Sequence, residues 1–128
     1  MSAAHVIGVD VGTGSARAGV FDLSGRIKGT AKQDISLHHG DGHRVEQSSA
    51  EIWAAVCAAT RGALAAAGID PASVAGIGFD ATCSLVVLGQ GRAPLPVSPG
   101  GDPARDIIVW MDHRALDQAA RINAGRHA

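Results

Sequence analysis

A chain of 128 residues and 12.9 kDa is long enough for one domain or for part of a larger one. Eleven Lys and Arg against twelve Asp and Glu give a net charge of −1, which excludes the basic footprint of a nucleic-acid binder. No apolar run approaches the roughly 20 residues needed to span a bilayer. Met1 to His5 lacks the cationic and apolar stretches of a secretory signal. Cys57 and Cys83 therefore read as reduced, cytosolic thiols, too few for a disulfide framework. Against 24 alanines and 17 glycines stand four aromatics, Phe21, Trp53, Phe79 and Trp110. Small side chains bury little area each, so the core is thin. Compositional bias explains this as well as a lobe that packs against something else.

In chain order, Val6 to Val11 is apolar almost throughout and reads as a central strand. Gly12 to Ser15 is a turn, Ala16 to Asp22 a second strand, and Ile27 to Leu37 a third, more polar one. His38 to Gln47 reads as a solvated loop, its three histidines and Asp41 included, and Glu46 as a solvated carboxylate. Ser49 to Ala67 is the best helix. Ser48 and Glu51 have capping-box spacing, Ile52, Val56, Ala59, Ala63 and Ala67 share a face, and Gly68 follows as the stop. Val74 to Phe79 and Ser84 to Leu88 are further strands, and a Pro-rich surface loop covers Pro94 to Pro103. Asp106 to Met111 reads as a strand, and Arg114 to Asn123 opens a second amphipathic helix. The expected fold is α/β in the order β-β-β-α-β-(β)-β-α. A mixed sheet opens with an antiparallel meander, unlike a simple βαβ start.

The densest chemistry lies in Asp10-Val11-Gly12-Thr13-Gly14-Ser15-Ala16-Arg17. A buried strand ends in a carboxylate, and a glycine turn leads straight into the next strand. Gly12 and Gly14 leave room for amide N–H groups around an anion. Thr13 and Ser15 add hydroxyl donors, and Arg17 adds a cationic fork for phosphate oxygens. Asp10 suits a Mg²⁺ ion held through water. There is no Gly-Lys-Ser/Thr, and position 17 is not glycine, so the turn is neither a Walker A loop nor a dinucleotide fingerprint. An ordinary Asp-Gly hairpin turn remains the plain alternative.

Two later segments, Gly76-Ile77-Gly78-Phe79-Asp80-Ala81-Thr82-Cys83-Ser84 and Val109-Trp110-Met111-Asp112-His113-Arg114, follow this turn in order. Together the three resemble the N-terminal part of the FGGY family of carbohydrate kinases. The wording of the last two is similar to the ribulokinase-like, pentulose-kinase branch. The resemblance covers about Val6 to Asn123 and implies a partial actin/hexokinase (RNase H-like) ATPase domain. It implies phosphate contacts at Gly12, Thr13, Gly14, Ser15 and Arg17, with Asp10 on the metal side, and ATP and Mg²⁺ as cofactors. It also implies a sugar pocket lined by Thr82, Cys83 and Ser84, with Trp110 packed on the sugar and Asp112 supporting that wall. From the residues alone, Trp110 and Asp112 also fit a core aromatic and a helix N-cap. Cys83 has no motif support as a nucleophile.

In the family the catalytic base is an aspartate later in the first lobe, and nothing in this sequence matches it. Residues 1–128 are therefore expected to be the N-terminal part of lobe I, inactive alone, with the remainder of the kinase chain as partner. Arg126-His127-Ala128 reads as a truncation or a frame change. The implied activity is ATP-dependent phosphorylation of a D-ribulose-like pentulose in the cytoplasm, with no nucleic-acid or membrane partner and with homo-oligomerisation open. The alternatives are a kinase for xylulose, ribitol or glycerol, and a non-catalytic half-lobe that binds an anion or a partner.

Overall fold

The computed structural model describes residues 4–125. Residues 1–3 and 126–128 lie outside the described part. Two compact units form, Met1–Ser36 with Ser49–Thr82, and Leu37–Ser48 with Cys83–Ala128.

The first unit is a four-stranded mixed sheet with one long helix. Strands β1 (His5–Val11), β2 (Ser15–Asp22) and β3 (Ile27–Asp34) form the expected antiparallel meander. Strand β6 (Val74–Ala81) adds parallel to β1, giving the order β3-β2-β1-β6. Strand side chains alternate between faces. One face turns Ile7, Val9, Ala16, Ala18 and Val20 toward helix α1 (Ser49–Ala67), which answers with Ala55, Val56, Ala59 and Ala63. Trp53 of the same helix is 63% exposed. The helix ends as the sequence indicates: Gly68 takes a positive φ of 61° and donates its N–H to the Leu64 carbonyl.

The small residues of this unit have a packing reason. A Cβ on Gly29 of β3 would sit 2.4 Å from the Ala67 nitrogen and 2.7 Å from the Ala63 oxygen. A Cβ on Gly62 would sit 2.8 Å from the Ala31 Cβ. Strand and helix thus approach closer than any side chain would allow, so a thin core still excludes water.

β3 stops at Asp34 and does not run to Leu37. The Ile35 N–H turns to the Gly14 carbonyl, and Ser36 N–H donates to Oε1 of Glu51 at 2.9 Å. That bond ties the first turn of α1 to the end of the meander.

The second unit corrects the reading of residues 38–47 as a loop. They form a hairpin, β4 (His38–Gly40) and β5 (Arg44–Gln47), turned by Gly42 and His43 at φ 68° and 65°. Polar residues disguise β5, whose Glu46 and Gln47 are buried in place of apolar side chains. β7 (Leu85–Val86) and β8 (Ile107–Ile108) complete a small sheet in the order β4-β5-β8-β7. Both are shorter than expected. Past Ile108 the chain turns, with Asp112 N–H donating to the Val109 carbonyl. Helix α2 runs Leu116–Ala124, not from Arg114, and its N-cap Ala115 makes no side-chain cap. The sequence order is therefore β-β-β-β-β-α-β-β-β-α.

Candidate functional site

The expected site residues fall into two sets. In the first unit, the β1–β2 turn carries Asp10, Gly12, Thr13, Gly14, Ser15 and Arg17. Asp10 and Arg17 face one another in register across the strands, and their side chains pair at 2.7 Å, each about half exposed. Such a pair holds at most about 1 kcal/mol. Arg17 can therefore move onto an anion at small cost. The turn itself is more committed than the sequence suggests. Gly12 N–H donates to the Ser15 carbonyl at 2.9 Å, and Ser15 is 8% exposed. A Cβ on Gly12 would lie 3.0 Å from Nη2 of Arg17, so glycine here lets the guanidinium fold over the turn. Space in front of Gly14 is open. The accessible groups are Thr13 and Gly14 at the tip, with the Asp10–Arg17 pair beside them.

The pairing register adds two residues that sequence reasoning missed. Asp80 of β6 stands opposite Asp10, and Lys32 of β3 stands opposite Arg17. In-register neighbours share a face, so Lys32, Arg17, Asp10 and Asp80 form one charged row across the sheet, away from α1. The signal was present as a repeated pattern, Gly8-Val9-Asp10 and Gly78-Phe79-Asp80, but its meaning depends on strand pairing. An open groove of about 690 Å³ lies along this face, lined by Asp10, Arg17, Lys32, Gly19 and Phe21 among others.

The donor chemistry fits a hydrated Mg²⁺–phosphate group. Asp10 and Asp80 are exposed hard-oxygen donors on one face, and Mg²⁺ binds through one or two carboxylates while keeping its waters. No group of three or more metal-ligating side chains forms among the described residues. A cation here would complete its shell with water or with oxygens of a bound phosphate.

Thr82 extends β6, its N–H donating to the Val11 carbonyl at 3.2 Å. In the second unit, Cys83 is an exposed free thiol. Ser84 Oγ accepts from the Trp110 N–H at 3.2 Å. Trp110 is not a core aromatic: it is 55% exposed. Asp112 is the reverse. Its side chain is 1% exposed, and both oxygens are engaged. Oδ2 accepts from Val45 N–H at 2.7 Å, and Oδ1 from Arg114 N–H at 2.9 Å. The Arg114 guanidinium adds Nε to both oxygens and Nη2 to Oδ2 at 2.6 Å. Burial opposes ionisation of Asp112, but these hydrogen bonds outweigh it and hold the pKa at about 2. Asp112 therefore supports the Trp110 segment from behind, with no oxygen turned outward and no helix to cap.

Glu46, expected to be solvated, is buried at 3%. Its Oε1 accepts from Nη2 of Arg114 at 2.9 Å, and its Oε2 lies 3.8 Å from Arg105. The hydrogen bond to Asp112 raises the Arg114 pKa, burial opposes it, and Glu46 adds to the rise. Nothing local marks Glu46 as buried; only its two distant cations account for it.

Residues 5–127 match the FGGY family of carbohydrate kinases, N-terminal domain. An FGGY carbohydrate kinase domain-containing protein of Homo sapiens is 48% identical over 124 residues, 97% of this chain and 22% of that protein. A D-ribulokinase of Saccharomyces cerevisiae is 46% identical over 120 residues, 92% of this chain and 17% of that one. A glycerol kinase of Roseobacter denitrificans is 32% identical over 110 residues, 86% and 21% of the two chains. Among solved structures, a xylulose kinase from Rhodospirillum rubrum superimposes with a TM-score of 0.78 at 24% identity, covering 94% of this chain and 23% of that one. The chain spans less than a quarter of the length of these relatives. The mixed sheet with α1 on one face is part of the actin/hexokinase-like fold of such kinases.

Proposed function

The chain belongs to the FGGY family of carbohydrate kinases, and from that membership we propose that the protein carrying it phosphorylates a pentulose, D-ribulose in preference, with ATP. The observation that favours a pentulose is the contrast between 46% identity to a D-ribulokinase and 32% to a glycerol kinase.

A terminal sugar hydroxyl attacks the γ-phosphorus of ATP, the bond to the β,γ-bridging oxygen breaks, and ADP leaves with the sugar phosphate as co-product. Catalysis of this kind is mainly positioning and charge neutralisation. Arg17 leaves its weak pair with Asp10 to meet phosphate oxygens, while Thr13 and Gly14 meet them at the turn tip. Asp10, with Asp80 beside it, would hold Mg²⁺, and the cation would supply charge neutralisation on the phosphates. In the second unit, Trp110 offers an apolar platform for the sugar carbons. Thr82, Cys83 and Ser84 line the pocket, and Asp112 fixes the platform from behind. The proton of the attacking hydroxyl goes to an aspartate outside these residues. We place the remainder of the kinase chain against the open edge of β6, where Ile77 and Phe79 are 46% and 56% exposed. The protein is assigned to the cytoplasm on the same reading; no described helix is long and apolar enough to cross a membrane.

The test is ADP release by the purified protein with D-ribulose, xylulose, ribitol and glycerol side by side. Turnover highest with D-ribulose is expected. No ADP with any pentulose or pentitol overturns the reading.

A further inference from the structure

We infer that Glu46 and Arg114 are positioning residues for the sugar platform: a buried carboxylate–guanidinium–carboxylate line that sets where Trp110 stands. The inference rests on the kinase reading above and adds two residues to its substrate side.

The turn that carries Trp110 is a graft onto strand β5. Val109 N–H donates to the Val45 carbonyl at 3.0 Å, and the Asp112 carboxylate accepts from the Val45 N–H at 2.7 Å. Both polar groups of Val45 are thus taken by the two ends of one turn, and Trp110 lies between those ends. His113 N–H adds a bond to the His43 carbonyl. Val109, 2% exposed, roots one end of the turn, Ser84 Oγ holds the Trp110 N–H, and the Asp112 carboxylate fixes the other end to β5.

A carboxylate alone does not choose its orientation. Here Arg114 chooses it, through three guanidinium contacts of 2.6 to 3.0 Å. Arg114 is fixed in turn on its far side. Nη2 reaches Oε1 of Glu46, and Nη1 donates to the Val97 carbonyl at 3.0 Å. Glu46 belongs to β5 next to Val45, so the line closes on the strand that the turn is grafted to. A planar fork with five donors can serve Asp112, Glu46 and Val97 together; a lysine ammonium cannot. Both carboxylates are almost fully buried, with side chains 4% and 1% exposed, so loss of one charge is felt by the others rather than by solvent.

The experiment uses the active protein carrying this chain, with Glu46→Gln, which keeps shape and an acceptor oxygen but removes the charge, and Arg114→Lys. Steady-state kinetics and amide hydrogen exchange are read on each. Expected is a rise of about tenfold in KM for the sugar, with kcat and KM for ATP within about twofold. Exchange should accelerate at the amides of Val45, Trp110 and His113, while the α1 amides stay protected. Glu46→Asp should recover part of the sugar KM. An unchanged sugar KM in a folded variant overturns the inference. So does a joint fall in kcat and both affinities, or loss of folded protein in both variants, because either would make the line a general structural element. A parent protein that turns over no sugar defeats the kinase reading itself, and this inference with it; that outcome is visible before any variant is made.

Discussion

Gly29 is the place where one methyl group should do most harm. Its Cβ would lie 2.4 Å from the Ala67 nitrogen, 2.7 Å from the Ala63 oxygen and 2.8 Å from the Ala66 carbonyl carbon. Carbon contacts settle at about 3.5–4.0 Å, so Gly29→Ala must drive β3 and the end of α1 apart by about 1 Å. All three obstructing atoms are helix backbone, which cannot swing aside as a side chain can. Overpacking costs ~1–3 kcal/mol, and a backbone obstacle puts this case at the upper end. Relief of glycine's excess conformational entropy returns ~0.5–1 kcal/mol. The expected net loss is about 2 kcal/mol. Gly62→Ala, across the same contact, meets only the Ala31 Cβ at 2.8 Å and gains about 1 kcal/mol of helix propensity. It should fall near neutral. Urea unfolding followed by circular dichroism separates the two: Gly29→Ala should lower the midpoint by roughly 1 M at unchanged slope. A Gly29→Ala protein that unfolds at or above the parent midpoint would refute the close-approach argument.

Other outcomes follow from the two sets of site residues. Arg17→Ala should weaken ATP binding about tenfold or more, as loss of a charge-assisted contact does. Its effect on thermal stability should stay within about 0.5 kcal/mol, because the pair with Asp10 is exposed. Equal ATP affinity in parent and variant would remove Arg17 from the site. Asp112 has its pKa lowered from 3.8 to about 2, so the folded state favours the ionised form. Its stabilisation, about 2 kcal/mol, is present above the ordinary carboxylate range and is lost as pH falls through about 2. A carboxyl-carbon NMR titration of Asp112 with a midpoint near 4 would contradict this. Cys83 is exposed and Cys57 only partly so, so a thiol reagent should label Cys83 first. Saturating sugar should slow that labelling; labelling indifferent to every accepted sugar would take Cys83 out of the pocket wall. Trp110→Ala should leave stability nearly unchanged while raising the sugar KM about tenfold, because the indole is 55% exposed.

The sequence was legible where local rules act alone. The meander follows from apolar runs separated by glycine turns, and α1 has the boundaries its periodicity and Gly68 require. The turn from Asp10 to Arg17 was legible as a candidate site, because glycine, hydroxyl and guanidinium groups crowd into eight residues. What escaped was everything decided by pairing at a distance. Asp80 joins Asp10 only through the parallel register of β1 and β6. Glu46 is buried only because Arg114 and Arg105 arrive from far along the chain. The β4–β5 hairpin escaped for the same reason, since its buried residues include a charge and an amide. Asp112 is expected in support of the wall or as a helix cap; its bond from the Val45 N–H, far off in sequence, is a further pairing that local pattern does not show.

The two edges of the first sheet are built to opposite rules. β3 ends the sheet with Lys28, Lys32, Gln33 and Asp34, and charged edges of this kind repel a further strand. β6, from Val74 to Ala81, carries no lysine and no proline, and among the described residues it is hydrogen-bonded to β1 alone. Its backbone groups and its Ile77 and Phe79 side chains are left for a neighbour. The sheet thus has a direction of growth: β3 closes it, and any strand that lengthens it joins at β6.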